Sequence, residues 1–183
     1  LNGLSCDLDP ILKFVKQNKL FLIEDCSQSH GALYKGKKVG SFGHISTWSF
    51  CQDKIISTGG EGGMISTNNK NLWLKMWSLK DHGKNYKSVF LKKHKTGFRW
   101  LHDYPGSNYR MTEMQAVLGR EQLKLLDKQI KKRNLIANLY LNGLRDYYQK
   151  YDILKKPDFK CQNCPLKKNI KNCDKCTHAF YRL

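Results

Sequence analysis

Apolar and polar positions alternate along this chain in a way that separates helices from strands. Ile11, Leu12, Phe14 and Val15 form one apolar face, which predicts a short helix. Asp9 is placed to cap it, Pro10 takes the first helical position, and the helix should end near Asn18. Residues 20–24 are an apolar run closing on Glu24, the pattern of a parallel strand buried on both faces. Residues 34–41 hold Lys-Gly-Lys-Lys and read as an exposed hairpin. Residues 45–50 are β-branched and aromatic, as a buried strand requires. A second strand resumes at 64–67, after the bend Gly59-Gly60-Glu61-Gly62-Gly63. Residues 69–81 predict a helix with Leu72, Met76 and Leu79 on one side, Trp73 and Trp77 close by, and Gly83 as C-cap. Residues 86–104 read as an irregular loop of functional length, with Phe98, Arg99, Trp100 and His102 as notable members. Thr112 caps a helix carrying Met114, Val117, Leu118, Leu123 and Leu126, and a second helix spans 127–148. A helix leading into a buried strand points to an α/β domain.

The 183 residues suffice for one domain with a core. The net charge of +18 raises the question of nucleic acid or an anionic surface. Of the 33 basic residues only six are Arg, and the lysines are spread widely. That distribution describes a solvated surface and weighs against nucleic acid as a partner. No apolar run is long enough for a membrane span and no signal pattern stands at the start, so no membrane partner is expected. Seven cysteines, an odd number with four in one cluster, fit reduced thiols in a cytoplasmic protein.

Chemistry concentrates around Lys54. Ser49, Cys51, Gln52, Asp53 and Ser57 surround it with small or polar groups, between two strands. Burial there would lower its pKa and make it a nucleophilic amine. On local composition alone the solvated loop lysine is the stronger reading. Asp25 ends the 20–24 strand, where open α/β sheets bind ligands, or it caps the next turn.

Three runs stand in a telling order. They are Leu22-Ile-Glu-Asp-Cys-Ser-Gln-Ser-His-Gly-Ala32, the stretch from Ser49 through Lys54 to Gly63, and Gly106-Ser-Asn-Tyr-Arg-Met-Thr-Glu-Met-Gln-Ala116. Together they resemble the DegT/DnrJ/EryC1/StrS family of sugar aminotransferases, which use pyridoxal 5′-phosphate (PLP). The resemblance covers roughly residues 1 to 145, and His178-Ala-Phe-Tyr-Arg-Leu183 looks like the opening of the family's C-terminal domain. It implies the α/β fold of type I PLP-dependent transferases, aspartate aminotransferase-like, and a fragment of a longer chain. Residues 1–126 would be part of the large PLP-binding domain, 127–150 a connecting helix, and 151–183 the start of a small domain with an insert at 155–176.

The resemblance also implies roles. Lys54 would bind PLP covalently and then move the proton, Asp25 would hold the pyridinium, and Gln28 would lie beside the phenolic oxygen. Ser49 would contact the phosphate, and Asn108 would reach the phosphate in the neighbouring subunit of a homodimer. His30 and Arg110 would support loops. The reaction would move an amino group from an amino acid, glutamate by expectation, to a keto group of a nucleotide-linked deoxysugar, for cell-surface polysaccharide or glycosides. Relatives that act as dehydratases carry His at the Lys54 position, so lysine favours transamination. A nucleotide-sugar dehydratase and a non-catalytic binding protein of the same fold are the alternatives.

Cys161-Gln-Asn-Cys164 and Cys173-Asp-Lys-Cys176 give C-x2-C-x8-C-x2-C, the spacing of a structural zinc site. Seven Lys against two Asp in 155–176 would offset the charge of four thiolates. Uncoordinated thiols and an iron–sulfur cluster are the other readings.

Overall fold

A computed structural model describes residues 2–94, 101–150 and 176–182. Helix α1 (Leu8–Gln17) leads into strand β1 (Ile23–Asp25). The short hairpin β2 (Leu33–Tyr34) and β3 (Lys37–Lys38) follows, turning at Lys35 and Gly36 with both φ positive, 50° and 81°. Such turns match the twist of paired strands. Strand β4 (Ile45–Ser49) then lies between β1 and β5 (Gly63–Ser66). β4 runs parallel to β1 and antiparallel to β5, so the sheet is mixed. The architecture is α/β, as the periodicity predicts.

Strand β1 departs from the expected burial on both faces. Ile23 is 62% exposed and Phe21 77%, while the polar Glu24 is buried. Among the described residues β1 lies at the sheet's edge. Its inward residue is a carboxylate because three backbone N–H groups of the following loop converge there: Gly40, Phe42 and Gly43 donate to Glu24 at 2.8, 2.7 and 2.5 Å. Their hydrogen bonds offset the desolvation of the charge.

Two helix ends also move. Asp7, not Asp9, stands at the N-cap of α1, and its carboxylate accepts from the Tyr34 hydroxyl at 2.6 Å instead of a helix N–H. Asp9 pairs with Lys35 across the first turn. Helix α2 (Lys70–Lys80) starts at its Asn69 cap, and Asp81 is its C-cap. His82 takes the left-handed conformation, φ 59°, and Gly83 follows one residue later. The Gly83 N–H reaches back to the Ser78 carbonyl at 2.8 Å. Glycine is required there, because a Cβ would sit 1.6 Å from the Tyr104 carbonyl oxygen.

Part of the expected loop is helical: α3 (Tyr86–Phe90), capped by Asn85 onto the Ser88 N–H at 2.7 Å. Tyr86 packs edge-on against Trp73 and Trp77, with ring centroids 5.4 and 5.1 Å away. Phe98, Arg99 and Trp100 lie outside the described residues.

Helix α4 (Glu113–Gly143) opens with a full capping box between Thr112 and Gln115. It runs unbroken through residue 127, where the periodicity predicts a new helix. No proline interrupts it, and Leu126, Ile130, Ala137 and Leu141 continue one inward stripe. Helix α5 (Arg145–Lys150) follows.

The core gathers Leu8, Cys26, Ala32, Tyr34, Val39, Ile55, Ile130, Ala179 and Tyr181. The last two come from 176–182, which Leu33 and Thr177 stitch to the hairpin through mutual bonds of 3.0 and 3.1 Å. Among the described residues, no helix is long and apolar enough to cross a membrane.

Candidate active site

Strand register places Asp25 beside Thr47, with Ser49 two residues further along β4 on the same face. Asp25 Oδ1 accepts from the Ser27 hydroxyl at 2.5 Å and from the Ser27 N–H at 3.0 Å. These bonds, with Lys54 adding attraction, hold the carboxyl below its ordinary range. Oδ2 has no hydrogen bond among the described residues. Among the described residues, Asp25 therefore shapes its turn with one oxygen and has no hydrogen bond on the other.

Lys54 follows β4 in a turn closed by its own N–H onto the Cys51 carbonyl at 3.0 Å. The glycine-rich bend beyond it needs glycine at Gly59 and Gly60, with φ +83° and +128°. Two glutamines of α4 hold this bend. Gln115 donates to the Glu61 carbonyl at 2.9 Å, and Gln122 accepts from the Ser57 N–H at 2.9 Å. No local pattern marks these residues, whose contacts span the chain.

The Lys54 side chain is 15% exposed, but it is paired. Its Nζ donates to the Tyr181 hydroxyl at 3.1 Å and lies 3.5 Å from Asp53. The expected lowering of its pKa is reversed. The Tyr181 hydroxyl foremost, then the Asp53 charge, raise it against burial. Asp53 is drawn down to about 2, chiefly by the Tyr181 hydroxyl.

His30 is a buried neighbour, 2% exposed, between Trp48 and Phe50 with centroids at 5.4 and 6.0 Å. Neither ring nitrogen has a hydrogen-bond partner among the described residues. Burial pushes its pKa down to about 4; the nearby Ser49 backbone opposes this without a well-formed bond, and the Lys54 charge adds to it. His30 also lines an apolar cavity of about 1080 Å³ with Trp77, Met111 and Leu123. Asp25, Gln28, Ser49 and Lys54 do not line that cavity.

The other expected site residues are placed as follows. Ser49 Oγ accepts from the Cys51 N–H at 3.4 Å. Gln28 Oε1 accepts from the Asn2 N–H at 2.7 Å. Asn108 is exposed and bridges to Asp81 at the end of α2, with no described contact to Lys54 or Asp25. Arg110 pairs with Asp81, which Lys84 also meets at 3.1 Å, so the 107–110 loop is tied to α2.

Cys161, Cys164 and Cys173 lie outside the described residues. Cys176 accepts from the Lys35 N–H at 3.1 Å. Among the described residues no group of three His, Cys, Asp or Glu side chains could hold a metal.

A sequence profile of the DegT/DnrJ/EryC1/StrS aminotransferase family matches residues 1–177. GDP-perosamine synthase of Escherichia coli O157:H7 is 40% identical over 149 residues, 81% of this chain and 38% of that protein. The crystal structure of an aminotransferase from Psychrobacter cryohalolentis superposes with a TM-score of 0.86 at 48% identity, covering 99% of this chain and 44% of the other. E. coli GDP-4-keto-6-deoxy-D-mannose-3-dehydratase with bound hydrated PLP superposes with a TM-score of 0.69 at 31% identity, covering 80% and 39%. The chain thus spans about two-fifths of the length of these relatives.

Proposed function

This chain belongs to the DegT/DnrJ/EryC1/StrS aminotransferase family, and we propose that it carries the cofactor-anchoring half of a PLP-dependent nucleotide-sugar aminotransferase. The fold is that of type I PLP-dependent aminotransferases. One observation carries the proposal: Asp25 ends β1 beside Thr47 of β4, Lys54 stands in the turn that follows β4, and among the described residues Asp25 Oδ2 accepts no hydrogen bond.

The residues present suit PLP. Bound PLP supplies an electron sink for the carbon that gains or loses the amino group. Asp25 Oδ2 would hold the proton on the ring nitrogen, and the Ser27 bonds on Oδ1 keep that carboxylate ionised and oriented. Gln28 would lie at the ring's oxygen side. Ser49 and Asn108, the latter from a second copy, would bind the phosphate. Lys54 would anchor the cofactor covalently and, once displaced, carry a proton at Nζ. The substrates would be a keto-bearing, nucleotide-linked deoxysugar and an amino-acid donor, glutamate by preference. The product would serve polysaccharide or glycoside assembly in the cytoplasm.

The dehydratase neighbour supports a second reading on the same cofactor. Lysine at position 54 favours transamination over it. A zinc site on Cys161, Cys164, Cys173 and Cys176 stays a reading of the sequence, separate from this chemistry; metal analysis of purified protein tests it.

The deciding experiment takes the full-length protein with PLP, glutamate and a nucleotide-linked 4-keto-6-deoxyhexose. Borohydride should fix PLP on Lys54. Lys54→Ala should lower kcat/KM by about a thousandfold or more. Undiminished turnover in that variant, or PLP fixed elsewhere, sinks the assignment.

A further inference from the structure

Lys54 must exist in two states in the proposed chemistry, joined to the cofactor and free. The free state has a built place. Tyr181 is 7% exposed, with its ring in the core. Its hydroxyl accepts from Lys54 Nζ at 3.1 Å and donates to the Asp53 carboxylate. Arg182 Nη2 lies 3.2 Å from Asp53 Oδ2 and 3.4 Å from the same hydroxyl. The lysine Nζ also stands 4.7 Å from the centre of the Tyr181 ring.

We propose that Tyr181, backed by Asp53, is a positioning residue that docks the free Lys54 amine. The inference rests on the proposed role of Lys54. A phenol between an ammonium and a carboxylate uses its acceptor and its donor at once, and both bonds are charge-assisted. The ring face adds attraction for the cation. Docked there, Lys54 keeps its proton and a fixed position. Joining the cofactor requires it to give up the Tyr181 bond and lose the proton. No covalent bond forms or breaks in the docking itself.

One consequence is coupling along the chain. Tyr181 stands 127 residues beyond Lys54. The 176–182 segment is seated by Thr177 on Leu33 and by Ala179 on Gly3, the latter at 2.8 Å. How that segment sits therefore sets how readily Lys54 reacts.

The test reads Lys54 directly in cofactor-free, full-length protein. Acetic anhydride at limiting dose acetylates only unprotonated amines, and peptide mass spectrometry follows Lys54 against pH. Tyr181→Phe keeps the ring and removes the hydroxyl. Asp53→Asn removes the backing charge at a partly solvent-facing position. Both should label Lys54 roughly three- to tenfold faster near neutral pH and move its profile to lower pH. Folded variants that label at the wild-type rate at every pH overturn the docking role. If Tyr181→Phe does not fold, Asp53→Asn decides alone. Borohydride capture of PLP in wild-type protein separates the two ideas. Normal capture on Lys54 with unchanged labelling removes only the docking role, whereas absent capture removes the proposed function.

Discussion

Two buried histidines link the stability of this molecule to pH. His30 and His178 are both moved from the ordinary 6.5 to about 4, with burial the main cause in each. His178 Nδ1 accepts from the Phe180 N–H at 2.7 Å, which requires the neutral ring. Both are depressed in the folded state, so unfolding takes up protons between pH 6.5 and 4. Their stabilisation is complete above about pH 6.5 and is lost as pH falls through 4, at most about 3 kcal/mol each. Urea midpoints at pH 7.5, 5.5 and 4.5 should fall steadily, and His30→Leu should flatten part of the fall. A level profile across that range contradicts the neutral burial of both rings.

Among the elements, the Glu24 contact with the 40–43 loop stands out. One buried carboxylate takes three backbone donors and clamps the β1–β4 crossover, which is a hairpin and loop instead of a helix. Glu24→Gln leaves one acceptor oxygen, for Phe42 and Gly43, and turns an NH₂ group toward the Gly40 N–H. The expected loss is about 2–3 kcal/mol in chemical denaturation at neutral pH. A loss under about 0.5 kcal/mol would mean that water replaces the bonds freely. The Thr112 cap stands where the sequence places it, because its partner lies three residues on. Asp7 and His82 were not legible in this way. Tyr34 claims Asp7 from 27 residues away, and the Tyr104 backbone crowds the turn beyond His82.

At the scale of the whole molecule, apolar surface is the main feature. Phe21, Ile23, Met64, Ile65 and Met114 are exposed, and the cavity of about 1080 Å³ has a mostly apolar lining. Patches of this kind mark surfaces that other structure covers. A polypeptide of these 183 residues alone should therefore raise the fluorescence of the dye ANS several-fold over a compact globular control. No rise would show that the chain covers these residues by itself. The net charge of +18 keeps such a chain apart in low salt, so the measurement belongs at low ionic strength.

Sequence alone determined the α/β class, the hairpin turn and the Thr112 helix cap. Those features depend on periodicity, on glycine's access to positive φ, and on side chains bonding a few residues away. Tertiary structure decided the burial of Glu24, the continuity of α4, the anchoring of the Lys54 bend by Gln115 and Gln122, and the pairing of Lys54. The last is the clearest case. Burial between two strands would have made Lys54 an amine of lowered pKa. The phenol that reverses this comes from 127 residues downstream, and only folding brings it within 3.1 Å.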